Sequence, residues 1–122
     1  MRVSIWREFT FDAAHWLPKV ADGHKCKRLH GHTWRVRVEI TGTLIDGMVI
    51  DYAELQTVWN ERVHSVIDHR LMNEIDGLGN PTTEVIAPWL WERLAGALGK
   101  LGAELVSIEV SEGEKSGCRV TA

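Results

Sequence analysis

The segment Cys26-Lys27-Arg28-Leu29-His30-Gly31-His32 sets one thiol and two imidazoles within seven residues, and His15 lies a loop upstream. In extended backbone, residues two apart point to the same side, so His30 and His32 can turn their rings toward one ion. Gly31 between them has no side chain and lets a ligand approach closely. Three histidines with an open fourth position are the donor set of a catalytic zinc site rather than a closed structural one. A cysteine beside such a site points to acid–base chemistry on a bound small molecule. His24 and His64 read as ordinary hydrogen-bonded side chains.

The elements that must position these groups can be read from periodicity. Residues 3–11, with Val3, Ile5, Phe9 and Phe11, read as a strand. Residues 33–42 alternate: Trp34, Val36, Val38 and Ile40 on one face, Arg35, Arg37, Glu39 and Thr41 on the other. The stretch between these strands is too long for a tight turn, and loops of that length tend to be functional. Asp51 caps a helix with Glu54 three residues on, and Leu55, Val58, Trp59, Val63 and Val66 carry it to about Ile67. Asn80-Pro81 opens a second helix striped by Ile86, Leu90, Leu94, Ala97, Leu98 and Leu101, with Gly102 as its stop. Val106, Ile108 and Val110 alternate in a third strand, and residues 116–120 can pair with it as a fourth.

The predicted order is β-β-α-α-β-β, an α+β fold in which two helices cover one face of a four-stranded antiparallel sheet. The other face and both edges lack cover, which predicts a homo-oligomer, with a barrel as the arrangement that removes edges. A site built from more than one subunit is then expected.

At 122 residues the chain reads as one domain, 1–122, and 44% hydrophobic with 25% charged residues fits a folded globular protein. A net charge of −3 gives no basic footprint for nucleic acid. Lys19, Lys25, Lys27 and Arg28 cluster around the histidine loop, where they can attract an anionic substrate. No apolar run is long enough for a bilayer, and the first residues lack a secretory pattern. Reduced Cys26 and Cys118 in a cytoplasmic setting are expected, with Cys118 a small apolar residue. The six tryptophans read as packing residues.

Taken in order, Phe11-Asp12-Ala13-Ala14-His15, Cys26-x-x-x-His30-Gly31-His32, Gly47-Met48-Val49-Ile50-Asp51, Asp68-His69, Pro81-Thr82-Thr83-Glu84 and Val110-Ser111-Glu112 resemble the 6-pyruvoyl-tetrahydropterin synthase / 6-carboxytetrahydropterin synthase family over nearly the whole chain. The resemblance implies the tunnelling (T-) fold and a hexamer of two stacked trimeric barrels. It makes His15, His30 and His32 the ligands of Zn2+ and Cys26 the catalytic thiolate. Asp68 and His69 become its acid–base partners, supplied by a neighbouring subunit. Glu112 becomes the anchor of the pterin ring, with Thr82 and Thr83 lining the same pocket.

These roles have physical sense. A zinc ion can bind and acidify the vicinal hydroxyls of a dihydroneopterin side chain. A carboxylate matches the two adjacent N–H donors on a pterin's 2-amino edge. The resemblance therefore implies a lyase acting on 7,8-dihydroneopterin triphosphate, giving 6-carboxytetrahydropterin for 7-deazaguanine or queuosine synthesis. Two alternatives stay open: formation of 6-pyruvoyl-tetrahydropterin, and a zinc- or pterin-binding module without turnover. The chain departs from many family members at Val85, Gly113 and Val120, in the outer pocket.

Overall fold

Alternation along one strand organises the molecule. In the computed structural model, which describes residues 1–122, β2 runs His30–Gly42 and sends Trp34, Val36, Val38 and Ile40 to one face. All four are fully buried. Strand β1 (Ser4–His15) pairs antiparallel with β2 from Ser4 opposite Thr41 to His15 opposite His30. Directly opposed residues share a face, so Phe9, Phe11 and Ala13 lie beside Val36, Trp34 and His32. The three histidines therefore continue the core stripe to the end of the sheet.

The helices cover that stripe. Asp51 caps α1 (Tyr52–Trp59), although the amide its carboxylate receives is that of Ala53. A π-helical turn, Asn60–His64, and a last α turn, α2 (Ser65–Ile67), continue it. The sequence predicts one helix to Ile67, and the end is as expected. The π turn adds one residue to the ring of backbone hydrogen bonds and rotates the last turn about the axis. Leu55, Trp59, Val63 and Ile67 still reach the core, and Trp59 stacks on Phe9 at 4.5 Å between ring centroids.

Helix α3 (Thr83–Lys100) contributes Ile86, Ala87, Leu90, Leu94 and Leu98, all fully buried. Each such Leu or Ile contributes roughly 1.5–3 kcal/mol through burial. Its cap is Thr82, whose hydroxyl accepts from the Val85 amide at 3.2 Å. Pro81 thus precedes the cap instead of opening the helix, which leaves its carbonyl available elsewhere. Gly102, at φ +82°, ends the helix as expected and takes a backbone conformation that favours glycine.

Strand β4 (Ala103–Ser111) pairs antiparallel with β2, and β5 (Cys118–Thr121) with β4. The ladder shifts register between Glu39 and Ile40, and Val106 has no partner there. The shift puts Ala103 and Leu105 on the core side with Ile108 and Val110, so simple alternation from Val106 does not describe this strand. The expected four antiparallel strands are joined by a fifth, β3 (Arg70–Leu71), which runs parallel to β1 at Ala13 and Ala14. The order across the sheet is β3-β1-β2-β4-β5.

The second sheet face is open and polar, with Glu8, Arg35, Arg37, Glu109 and Arg119 upon it. Trp6 belongs to this face, half-exposed under the Arg37 guanidinium at 3.7 Å, whereas Trp34 and Trp59 are core residues. No helix is long and apolar enough to cross a membrane.

Candidate metal centre and active site

The ends of β1 and β2 bring His15, His30 and His32 together, with one ring nitrogen of each within 4.8 Å of the others. The rings stand edge to face, their centroids 4.5–5.2 Å apart. Trp34 lies beneath, edge-on to His15 and His32. Two rings are fixed by backbone carbonyls, which can only accept. His15 Nδ1 donates to Pro81 O at 2.9 Å and His30 Nδ1 to Arg28 O at 2.6 Å. Each bond places the proton on Nδ1 and leaves Nε2 as a lone-pair donor, the usual arrangement behind a metal-bound imidazole.

Burial holds the protonation equilibria of His15 and His32 below the ordinary histidine range, so both rings are kept neutral. The Nε2 atoms of His15 and His32 are buried without a hydrogen-bond partner. Buried polar atoms without partners are uncommon, and a water or an ion is the usual means of satisfying them. An all-nitrogen set of three suits Zn2+.

Glu112, just beyond β4, places Oε2 at 3.4 Å from His32 Nε2 and 3.7 Å from His15 Nε2. The family resemblance implies a pterin-anchoring role for it; the fold sets it against the histidines themselves. Cys26 sits on a 3-10 turn, Lys25–Lys27, in the loop between β1 and β2. Its amide donates to His24 Nδ1, and its carbonyl accepts from Leu17 at 2.8 Å, two residues after His15. His24 is thus a turn cap. Of the nearby basic residues, Lys27 is tied to Asp22 at 2.7 Å. Cys118 is half-buried on β5, and burial raises its thiol.

Asp68 and His69 form a dyad, His69 Nδ1 donating to Asp68 Oδ2 at 2.7 Å. His69 has φ +58°, and its amide donates to Asp12 O at 2.6 Å. Such a backbone is costly for a non-glycine residue and is tolerated where surroundings fix it. The Asp12 amide donating to Oδ1, followed by the His69 hydrogen bond, holds the Asp68 carboxyl below its usual range. The same bond from His69 raises that imidazole above its ordinary value.

Asp12 is the functional neighbour that sequence reasoning does not single out. Its backbone holds both members of the dyad, and its carboxylate, bonded to Thr33, lies near both. Nothing in its spacing signals this beyond its place on the polar side of β1. His64, expected to be ordinary, approaches Asp68 Oδ2 at 3.5 Å. By strand alternation Asp12 faces the side opposite His15. Within one chain the dyad and the three histidines therefore serve opposite faces of the same sheet end.

Thr82 uses its hydroxyl in the helix cap, and Thr83 donates to Glu84 at 2.7 Å. The segment still abuts the site, because Pro81 holds His15.

Comparisons with known proteins agree with this geometry. The family model described as 6-pyruvoyl tetrahydropterin synthase matches residues 4–122. A Synechocystis protein named 6-carboxy-5,6,7,8-tetrahydropterin synthase is 39% identical over 94% of this chain and 90% of its own. A Pyrococcus furiosus protein named dihydroneopterin monophosphate aldolase is 38% identical over 77% of this chain and 76% of its own. The structure of Caenorhabditis elegans 6-pyruvoyl tetrahydropterin synthase superposes with a TM-score of 0.87 and 25% identity, covering 100% of this chain and 96% of that one. Because the match runs unbroken from β1 to β5, taking in every element that positions the histidines, the chain belongs to the 6-pyruvoyl tetrahydropterin synthase family.

Proposed function

We propose that the protein is a zinc-dependent 6-carboxy-5,6,7,8-tetrahydropterin synthase. With uptake of water it converts 7,8-dihydroneopterin triphosphate to 6-carboxytetrahydropterin, acetaldehyde and triphosphate. The observation that carries the reading is the cluster of three imidazoles, two of them with buried, unpartnered Nε2 atoms. The name of the Synechocystis relative supports the carboxy product.

His15, His30 and His32 hold the ion, which when bound supplies Lewis acidity to the two side-chain hydroxyls of the substrate. Glu112 accepts the paired N–H groups of the pterin edge and orients the ring. Cys26 takes a proton from the side chain. His69, with its Nδ1 proton held on Asp68, exchanges the second proton through Nε2. Thr82 and Thr83 fix the helix end that carries Pro81 and so the His15 ring. Lys19, Lys25 and Arg28 attract the triphosphate.

The dyad works on the histidine site of another copy, in a homohexamer of two stacked trimeric barrels. Support comes from the opposite faces served by the two clusters within one chain and from the uncovered polar sheet face. The product serves 7-deazaguanine and queuosine synthesis in the cytoplasm.

Mass spectrometry after incubation with 7,8-dihydroneopterin triphosphate tests the reaction. The expected products are 6-carboxytetrahydropterin, acetaldehyde and triphosphate. A 6-pyruvoyl product would replace this reading with triphosphate elimination, and unchanged substrate would reduce the protein to a binding module. The aldolase name of the Pyrococcus relative supports a second reading, cleavage of the monophosphate, for which the same assay with that substrate is the test.

A further inference from the structure

Strand β3 is short, yet its contact with β1 outlasts it. Arg70 and Leu71 lie opposite Ala13 and Ala14, and β1 stops at His15. Asn73, half-buried on a 3-10 turn (Met72–Glu74) directly after β3, carries the contact on to Trp16. The Trp16 amide donates to Asn73 Oδ1 at 3.0 Å, and Asn73 Nδ2 donates to the Trp16 carbonyl at 2.8 Å. A backbone amide only donates and a carbonyl only accepts, so the two bonds fix which way the carboxamide faces. One side chain stands here in place of a strand's backbone.

The second of these bonds leads to the thiol. The Trp16 carbonyl and the Leu17 amide belong to one planar peptide unit and point in opposite directions. Asn73 holds the oxygen of that unit, and its N–H donates to the Cys26 carbonyl at 2.8 Å. This is the only hydrogen bond from the Lys25–Lys27 turn to a residue outside 20–28. The rest, among Val20, Asp22, His24, Cys26, Lys27 and Arg28, close the turn on itself. Rotating the peptide unit would swing its N–H away from Cys26 and leave that turn untethered. The His15 ring is held separately by the Pro81 carbonyl and does not depend on the clamp.

We propose that Asn73 is a positioning residue for Cys26: by gripping both peptide units that flank Trp16, it aims the Leu17 amide and so sets the turn that carries the thiol. The catalytic consequence rests on the reading above of Cys26 as the group that takes a side-chain proton. A reacting group displaced by about 1 Å can lose about 10²-fold in rate, so a loop released at Trp16 should show chiefly in turnover. Ring recognition and metal binding use other side chains.

The test combines kinetics on 7,8-dihydroneopterin triphosphate, metal analysis and amide hydrogen exchange followed by NMR. Asn73→Ala is expected to lower kcat by about 10–100-fold and to change KM by less than about twofold, with zinc content as in wild type. Its Leu17 amide should exchange about tenfold faster or more, while the amides of β2 keep their wild-type rates. In a Cys26→Ala background, Asn73→Ala should reduce the residual turnover no further, because a positioning residue has nothing left to act through. Asn73→Asp keeps the acceptor for the Trp16 amide and removes the donor to its carbonyl. It should also free Leu17 and lower kcat, and it carries the test if the alanine variant does not fold. Wild-type Leu17 exchange in both variants would overturn the clamp. Equal losses from Asn73→Ala with and without Cys26 would overturn its coupling to the thiol, and zinc content falling with kcat would overturn it in favour of an action on His15. Wild-type turnover in Cys26→Ala would sink the catalytic reading of the thiol and the consequence drawn from it, while Leu17 exchange still decides the clamp.

Discussion

Two cysteines and one imidazole carry the sharpest expectations at the scale of single residues. Cys26 lies in the loop bonded back to Leu17, whereas Cys118 is half-buried on β5. Cys26→Ala is expected to fold and to lower turnover by about 10²–10⁴-fold, the usual cost of a lost acid–base group, while Cys118→Ala changes turnover little. Steady-state kinetics on the two variants checks this, and equal losses would refute the assignment. His69 titrates above the ordinary histidine range of about 6.5 because it donates to Asp68. Imidazole proton resonances recorded against pH should show that elevation in wild type and its disappearance in Asp68→Asn. Stability depends on pH through the same pair. Asp68 ionises below its usual value and His69 above its own, so the dyad's contribution is full between the ordinary carboxylate and histidine ranges, is lost as pH falls through the depressed Asp68 value, and is lost again as pH rises through the raised His69 value. Of these residues, the histidine set was legible from spacing alone, since a period of two places His30 and His32 together. Asp68, His69 and Glu112 became legible only in combination with it. Asp12 and the Pro81 carbonyl were not, because they act through backbone groups that every residue possesses.

Among the elements, α3 is where stability and site meet. Thr82 caps it, and Pro81 just ahead of the cap receives the His15 ring proton. Thr82→Ala is expected to cost about 1 kcal/mol of stability, with Thr82→Ser close to wild type, as read from urea unfolding of the metal-free protein. An unchanged midpoint in Thr82→Ala would show that the cap is idle. Strong periodicity made β2 and α3 readable in advance. The two-residue β3 was invisible, because Arg70 and Leu71 are too few to show a period. The Val106 bulge was equally hidden, since it depends on how β4 meets Glu39 and Ile40. The π turn at Asn60–His64 left the apolar spacing nearly intact, so nothing in the residues marked it.

For the molecule as a whole, the opposed faces of dyad and histidine cluster lead to a test of assembly. A mixture of Cys26→Ala and His69→Ala proteins, each inactive, should regain part of the wild-type activity once subunits exchange. Exchange tracked by mass, with no recovery, would place each site within one chain. The continuous row from His30 through His32 and Trp34 to Ile40 has a consequence for which changes in chain length the protein tolerates. Fold and chemistry are read from one ruler with a spacing of two residues. Removing or adding a single residue between His32 and Trp34 would turn the imidazoles to the opposite side of the sheet from the core, and no repacking of side chains could bring them back. An insertion in the loop of residues 16–29 meets no such constraint, since no ladder counts its residues. Changes in length are therefore expected to be tolerated in the loops, and β2 must keep its count because the histidine cluster and the oily interior occupy opposite ends of the same strand.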